Sequence, residues 1–259
     1  MSREELEERS SGRAGWDAAT RDRIVRGAAE VVLRLGVAGV SVERVRAVAG
    51  VSRSQVHRYF PAKEALIDGV VDFQIAAVLA RQRALLGSLH SLADLQEWAD
   101  VVVELNSAGN GVRGCPLGSL VSQLAEQPGP VRAKLDHAFQ TWQSYLAAGL
   151  RRMQDRGELN AEADVAELAT GVVAALQGGL ILAQAARSEK PLRSALDLAV
   201  GRVALAAHIA GPAAPGHVHR VSQSEADLSA CPVSGFATAR PHVPGAARKT
   251  SSPPPDPNG

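Results

Sequence analysis

The chain has 259 residues, 46% of them hydrophobic, 21% charged and 3% aromatic, with a net charge of +1. That length allows one or two domains, and scarce aromatics beside abundant Ala, Leu and Val favour helices over strands. No apolar run is expected to reach the roughly 18 residues of a membrane span, and the polar start MSREELEERSSGR is unlike a signal peptide, so the reading is of a cytoplasmic protein.

The small net charge hides an asymmetry. From Thr20 to Leu66 there are nine Lys/Arg against four Asp/Glu, whereas Val71 to Ile209 holds twelve against fourteen. A basic module on a near-neutral body fits a nucleic-acid-reading head joined to a domain of another kind.

Residues 1–16 are charged and contain Ser and Gly, which predicts a mobile arm. From Asp17 or Thr20 to Leu35 the pattern is helical, with Ile24, Ala28, Val31, Val32 and Leu35 on one stripe and Gly36 as the stop. Arg23 and Arg26 face away from that stripe and are either solvated or close to phosphate. Ser41 then reads as the N-cap of a short helix, with Glu43 in its first turn and Val40 and Val45 as a hydrophobic staple. Val42, Val45, Val48 and Ala49 share a face, and Gly50 ends the helix. Ser52 to Gln55 fits a capping box for a second helix of about seven residues. Two capped helices around a tight Gly-containing turn form a helix-turn-helix.

The second helix carries Arg53, Ser54, Gln55, His57, Arg58 and Tyr59, almost none of them apolar. A helix so short must be braced by its neighbours, and its donors suit the major groove of DNA. Arg53, Ser54 and Gln55 are the candidate base readers, with Arg58 beside them. Gln55 has a second role open to it, turning back to Ser52 in the box. Pro61 is expected at the first position of the next helix. Near that start Lys63 and the free N–H groups can hold a phosphate, and Ser41 can donate to another. Arg46 reads as a surface position or a phosphate contact.

The run AGVSRSQVHRYFPAKEALI resembles the TetR family of bacterial transcriptional regulators, over roughly residues 20–67. Departures from the family's usual wording fall at Arg46, at Ser54-Gln55 and at His57. The resemblance implies an all-α fold in which a three-helix head with a helix-turn-helix is linked to a helical ligand-binding and dimerisation body. It implies that His57 and Tyr59 reach phosphate rather than only pack within the head. The domains expected are the arm (1–16), the DNA-binding domain (17–67), the body (68–210) and a tail (211–259). The DNA-binding set is Ser41, Ser52, Arg53, Ser54, Gln55, His57, Arg58, Tyr59 and Lys63.

The helix after Pro61 is expected to run to about Leu86, with Leu66, Val70, Phe73, Ala77 and Ala80 along one side, linking head to body. Further helices are predicted over Leu92–Asn106, from Cys115-Pro116 to about Gln127, over Val131–Arg156 with Gly157 as the stop, over Ala163–Arg187 and over Pro191–Ile209. The last two are the dimerisation candidates. One carries the small residues Gly171, Ala174, Ala175, Gly178 and Gly179, and the other repeats Leu192, Leu196, Ala199, Val203 and Ala206 or Ala207. The alternative is that they only close the monomer core. The body segments GCPLGSLVSQLAE and ALQGGLILAQAARSEKPLRSALDLA resemble LmrA-like regulators, which implies a small and often aromatic inducer.

The pocket set is Trp98, Leu105, Cys115, Leu120, Phe139, Trp142, Tyr145 and Gln177, the body's main aromatics with a few polar groups. Each of them singly can equally be core, and Cys115 reads as packing before it reads as a redox sensor. From Gly211 to Gly259 the Pro, Ala, Ser and Gly content predicts disorder. Cys115 and Cys231 lie far apart and His217-x-His219 has no further ligands, so neither metal nor cofactor is expected. The sequence holds no nucleophile elbow, phosphate loop or HExxH, so no catalytic residue is assigned and no enzyme is expected. The partners expected are an operator in double-stranded DNA, a small-molecule inducer and a second copy of the chain, with no membrane. Control by a protein partner or by thiol oxidation is the alternative to the small ligand.

Overall fold

The computed structural model describes residues 3–107, 114–127 and 129–208, with side chains from Asp17 onward. The chain divides into units 1–213 and 214–259, and everything described belongs to the first. The expected tail, with Cys231, His217 and His219, lies outside the described residues, as do residues 108–113 of the predicted loop.

Every regular element among the described residues is helical, as expected. The head comprises α1 (Arg3–Leu35), a single 3-10 turn (Val37–Gly39), α2 (Val42–Ala49) and α3 (Arg53–Tyr59). The body comprises α4 (Lys63–Leu86), α5 (Leu92–Ser107), α6 (Pro116–Leu124), α7 (Val131–Asp155), α8 (Val165–Ala186) and α9 (Lys190–His208).

The local signals act as read. Ser41 caps α2 by accepting the Arg44 N–H at 3.3 Å, and Gly50 closes it at φ 63°. The α3 capping box is complete, with Gln55 N–H donating to Ser52 Oγ at 3.1 Å and Ser52 N–H donating to Gln55 Oε1 at 2.8 Å. The staple residues Val40, Val45, Val51 and Val56 are all buried. Gly157, at φ 72°, follows the end of α7.

Several boundaries and faces differ from expectation. α1 starts at Arg3 rather than near Asp17, because REELEER is a run of strong helix formers with acids toward the dipole's positive end. No break therefore separates residues 3–16 from the head. Pro61 precedes α4 instead of opening it, since Ala62 is still extended (φ −129°, ψ 153°) and Lys63 is the first helical residue. α6 stops at Leu124, short of Gln127. Leu35 and Val48 point outward at the ends of their helices. Ala77 and Ala80 are exposed because α4 changes neighbours along its length: Leu66, Val70 and Val71 are buried near the head, while Gln82 and Leu86 are buried at the far end.

α4 packs on α1, α6 and α7, and so spans both halves. From α7, Lys134 Nζ donates to Asp68 Oδ1 at 2.7 Å and Asp72 Oδ1 at 2.9 Å. At the other end of α4, Arg152 donates to the carbonyls of Leu86 and Leu89 at 3.1 and 2.9 Å. The Leu86 carbonyl, which ends α4, also accepts the Leu89 N–H at 3.2 Å, and a cation suits this end of the helix.

α8 and α9 form the most extensive helix pair. Gly179 lets them meet: a Cβ there would lie 3.0 Å from Ala195 Cβ and from Leu192 Cα. Leu192, Leu196, Val203 and Ala206 are monomer core, the alternative to a dimerisation role for that repeat. The exposed stripe runs instead through Gly171, Ala174 and Gly178, joined by Ile181, Leu182, Leu198 and Leu205, whose side chains are 61–75% exposed. α8 also corrects the reading that no segment reaches the length of a membrane span. Val165–Ala186 has a mean hydropathy of 1.7 over its best window, although 44% of that window is buried in this fold.

Candidate nucleic-acid interface and ligand cavity

Two buried residues, Val56 and Phe60, pin α3 against the head. The rest of the helix follows from that anchoring. Arg53, Ser54, His57 and Arg58 are exposed and recur at four-residue spacing, so they share the outward face. Gln55 and Tyr59 are half-buried at its edge.

Both arginines already have acidic neighbours. Arg53 lies 3.4 Å from Glu43 of α2, and Arg58 lies 3.3 Å from Asp17 of α1. The Tyr59 hydroxyl donates to Asp17 Oδ1 at 2.6 Å, and this bond with partial burial holds the phenol above its ordinary pKa. Arg58 also stacks over the Tyr59 ring at 5.5 Å. Asp17 thus orients two of the expected DNA contacts. The sequence reading treated it only as a helix start, and nothing in its local pattern marks a partner about forty residues on.

Of the other expected contacts, Ser52 is engaged in its cap and lies 2.9 Å from Ser54 Oγ. Gln55 Oε1 serves the capping box, the second of the two roles open to it. Lys63 is exposed at the first turn of α4, where no side chain caps the helix. Arg26 lies over Phe73 at 5.6 Å, so its aliphatic and cationic parts pack on α4.

In the body, a cavity of about 230 Å³ opens between α4, α5, α6, α7 and α8. Of the expected pocket residues, Leu105, Cys115 and Trp142 line it. Trp98 does not line it but donates its indole N–H to Gln82 Oε1 at 3.0 Å, and Gln82 does line it. Phe139 backs Trp142, with rings stacked at 6.2 Å and 7°. Leu120 is core on α6, and Tyr145 packs half-buried against the core. Neither lines the cavity.

Gln177 stands behind Cys115, and its Nε2 is buried without an acceptor among the described residues. Burial pushes the Cys115 thiol up; the backbone at Gly118 and the Gln177 amide oppose that rise without cancelling it. The sequence reading missed Gln74, Arg81 and Gln82 of α4 and Leu33 of α1, all of which line the cavity. The sequence pattern makes α4 a linker; the signal for a lining role is a Gln at position 82, at helical spacing from the buried Leu86.

α6 joins the cavity to the head. Its N-cap, Cys115, is a cavity wall. Near its other end Gln123 Oε1 accepts the backbone N–H of Val37, in the turn between α1 and α2, at 2.7 Å. The same oxygen would lie 2.7 Å from a Cβ placed on Gly36, whose φ of 70° already suits glycine.

Known proteins carry the same two parts in the same order. A family model described as "Bacterial regulatory proteins, tetR family" matches residues 13–70, and one described as "Tetracyclin repressor-like, C-terminal domain" matches 91–199. The chain belongs to the TetR family. It is a DNA-binding transcriptional regulator and not an enzyme. This TetR-family chain is 29% identical to the transcriptional regulator AcuR of Cereibacter sphaeroides over 66% of its length and 79% of the relative's. A TetR regulator from Chloroflexus aurantiacus superposes with a TM-score of 0.65 at 23% identity, over 72% of this chain and 95% of that one. A regulator from Saccharomonospora viridis, solved in complex with choline, superposes at 0.58 with 22% identity, over 71% and 96%. At such identities the two structures speak for the fold alone.

Proposed function

We propose that this TetR-family regulator is a dimeric cytoplasmic repressor, released from its operator when a small molecule fills the body cavity. The observation that carries the reading is α6, a helix of nine residues whose first end walls the cavity and whose last turn holds the head through Gln123 and Val37. Leu33 on α1 is a second link, since it lines the cavity from the head's own first helix. A ligand that props Cys115 and Pro116 outward shifts α6 along its axis, and with it the turn that seats α2 and α3. The shift in operator affinity is bounded by the ligand's difference in affinity between the two arrangements.

The exposed Ile181, Leu182, Leu198 and Leu205, all large apolar residues on the α8–α9 pair, support pairing with a second copy. Two-fold pairing presents α3 twice, to half-sites about one helical turn or a multiple apart. In this reading Arg53 and Ser54 read bases and Gln55 completes the cap. His57, Arg58, Tyr59, Lys63 and Ser41 hold phosphates. The likeness of the body to LmrA-like regulators supports a small organic inducer. Thiol oxidation is the weaker mode of control, because Cys115 is buried and its pKa is raised, which leaves little reactive thiolate.

The test is binding of the full chain to its own promoter DNA at low ionic strength, followed by footprinting. Two protected half-sites are expected. Lys63→Ala is expected to weaken all sequences alike and reduce the salt slope by about one. Absence of binding at low salt would sink the proposal.

A further inference from the structure

The lining of the body cavity points to the chemical class of its ligand, an inference that rests on the reading above that the inducer binds there. One buried lining donor lacks an acceptor, and a second lining side chain has a donor to offer. Trp142 is 2% exposed, lines the cavity, and its indole N–H has no acceptor among the described residues. An indole N–H can only donate, and a buried donor without a partner is disfavoured. Gln82 is 7% exposed and also lines the cavity. Its Oε1 is taken by Trp98 at 3.0 Å, which leaves its NH2 group to offer.

The charges agree with the donors. The one charged side chain among the described lining residues is Arg81, and no Asp or Glu lines the space. Such a wall suits an oxygen acceptor and offers no counter-ion to a cation. The rest of the wall is apolar through Val78, Val102, Leu176 and Leu180, with Gln74, Asn106 and Cys115 as its other polar members. At about 230 Å³ the cavity falls below the range of roughly 300–1,000 Å³ that takes drug-sized ligands.

We propose that the cavity binds a small, compact organic molecule bearing a carboxylate or carbonyl oxygen, which accepts from Trp142 Nε1 and the Gln82 amide while its hydrocarbon part lies against the apolar wall. Trp142 and Gln82 are then the residues that set ligand class.

The test uses four probes of similar shape, benzoate, benzamide, benzylamine and toluene, titrated calorimetrically into the full-length protein. Benzoate and benzamide are expected to bind at least tenfold more tightly than benzylamine and toluene. Trp142→Phe removes the indole N–H and is expected to weaken benzoate at least tenfold. Gln82→Glu retains an acceptor for Trp98 while replacing the donor with an oxygen, and is expected to do the same; thermal unfolding of each variant checks that it folds. Benzylamine binding as tightly as benzoate, no binding by either acceptor probe, or benzoate binding indifferent to Gln82→Glu in a folded variant would each overturn the assignment. The inducer reading stands or falls separately, on whether any compound in a broad thermal-shift screen releases operator DNA.

Discussion

Gln123 Oε1 accepts the Val37 N–H at 2.7 Å across 86 positions of sequence, and this bond ties the last turn of α6 to the head. The same side chain is steadied from within α6, its Nε2 donating to the Ser119 carbonyl at 3.0 Å. Gln123→Ala leaves a half-covered backbone N–H without its partner, at a cost of about 1 kcal/mol. We expect the variant to bind operator DNA nearly as well as the parent but to release it less on adding inducer. Anisotropy titrations with and without inducer check this, and an undiminished release would remove Gln123 from the coupling.

Asp17 holds Arg58 at 3.3 Å and accepts from Tyr59 at 2.6 Å. Asp17→Asn removes a negative charge beside the DNA face and frees the arginine. Affinity for non-specific DNA is expected to rise at low salt and the salt slope to steepen by up to about one counterion. Discrimination between operator and random DNA is expected to fall, since Arg58 and Tyr59 lose their common anchor. Unchanged discrimination would show that α3 positions them unaided.

Gly27 is a point of close approach in the head. A Cβ there would lie 2.9 Å from Ala49 Cβ and 3.1 Å from the Ala49 nitrogen, where backbone cannot yield cheaply. Gly27→Ala is expected to force α1 off α2 and to destabilise the protein by about 1–3 kcal/mol. Denaturant unfolding followed by circular dichroism measures the loss. A stability equal to the parent's would mean that the two helices are less tightly apposed than described.

Asp94 gives a pH signature. It accepts from the backbone N–H groups of His90 and Ser91 at 2.9 and 3.0 Å, and the bond from His90 is the main cause of its lowered pKa. A carboxylate depressed in the folded state stabilises fully above its unfolded pKa of about 3.9. That contribution is lost as pH falls through the lower folded value. Asp94→Asn is therefore expected to lower the melting temperature at neutral pH, with the gap to the parent closing in acid below pH about 4. A gap that stays constant into acid would assign the effect to packing.

Much of the fold was legible because its signals are local. The Ser41 cap, the Ser52–Gln55 box and the glycines at 50 and 157 act within one or two turns, so the order of residues alone sets them. The same holds for the outward side chains of α3. A helix of seven residues has one face to bury, and Val56 takes it. The faces of α8 and α9 were not legible in this way. Gly, Ala and Leu recur all round both helices, so periodicity alone does not say that Leu192 and Leu196 go inward while Leu198 stays out.

What the amino-acid order determined by itself is the succession of helices, the reading helix and the asymmetry of charge between head and body. Only the tertiary structure decided which distant groups meet: Asp17 with Tyr59, Gln123 with Val37, and Gln82 with Trp98 beside Trp142. Capping and amphipathic spacing are properties of neighbouring residues, whereas these pairings depend on where whole helices cross. The crossing is set by the packing of many small and branched side chains at once, and no single one of them carries that information along the chain.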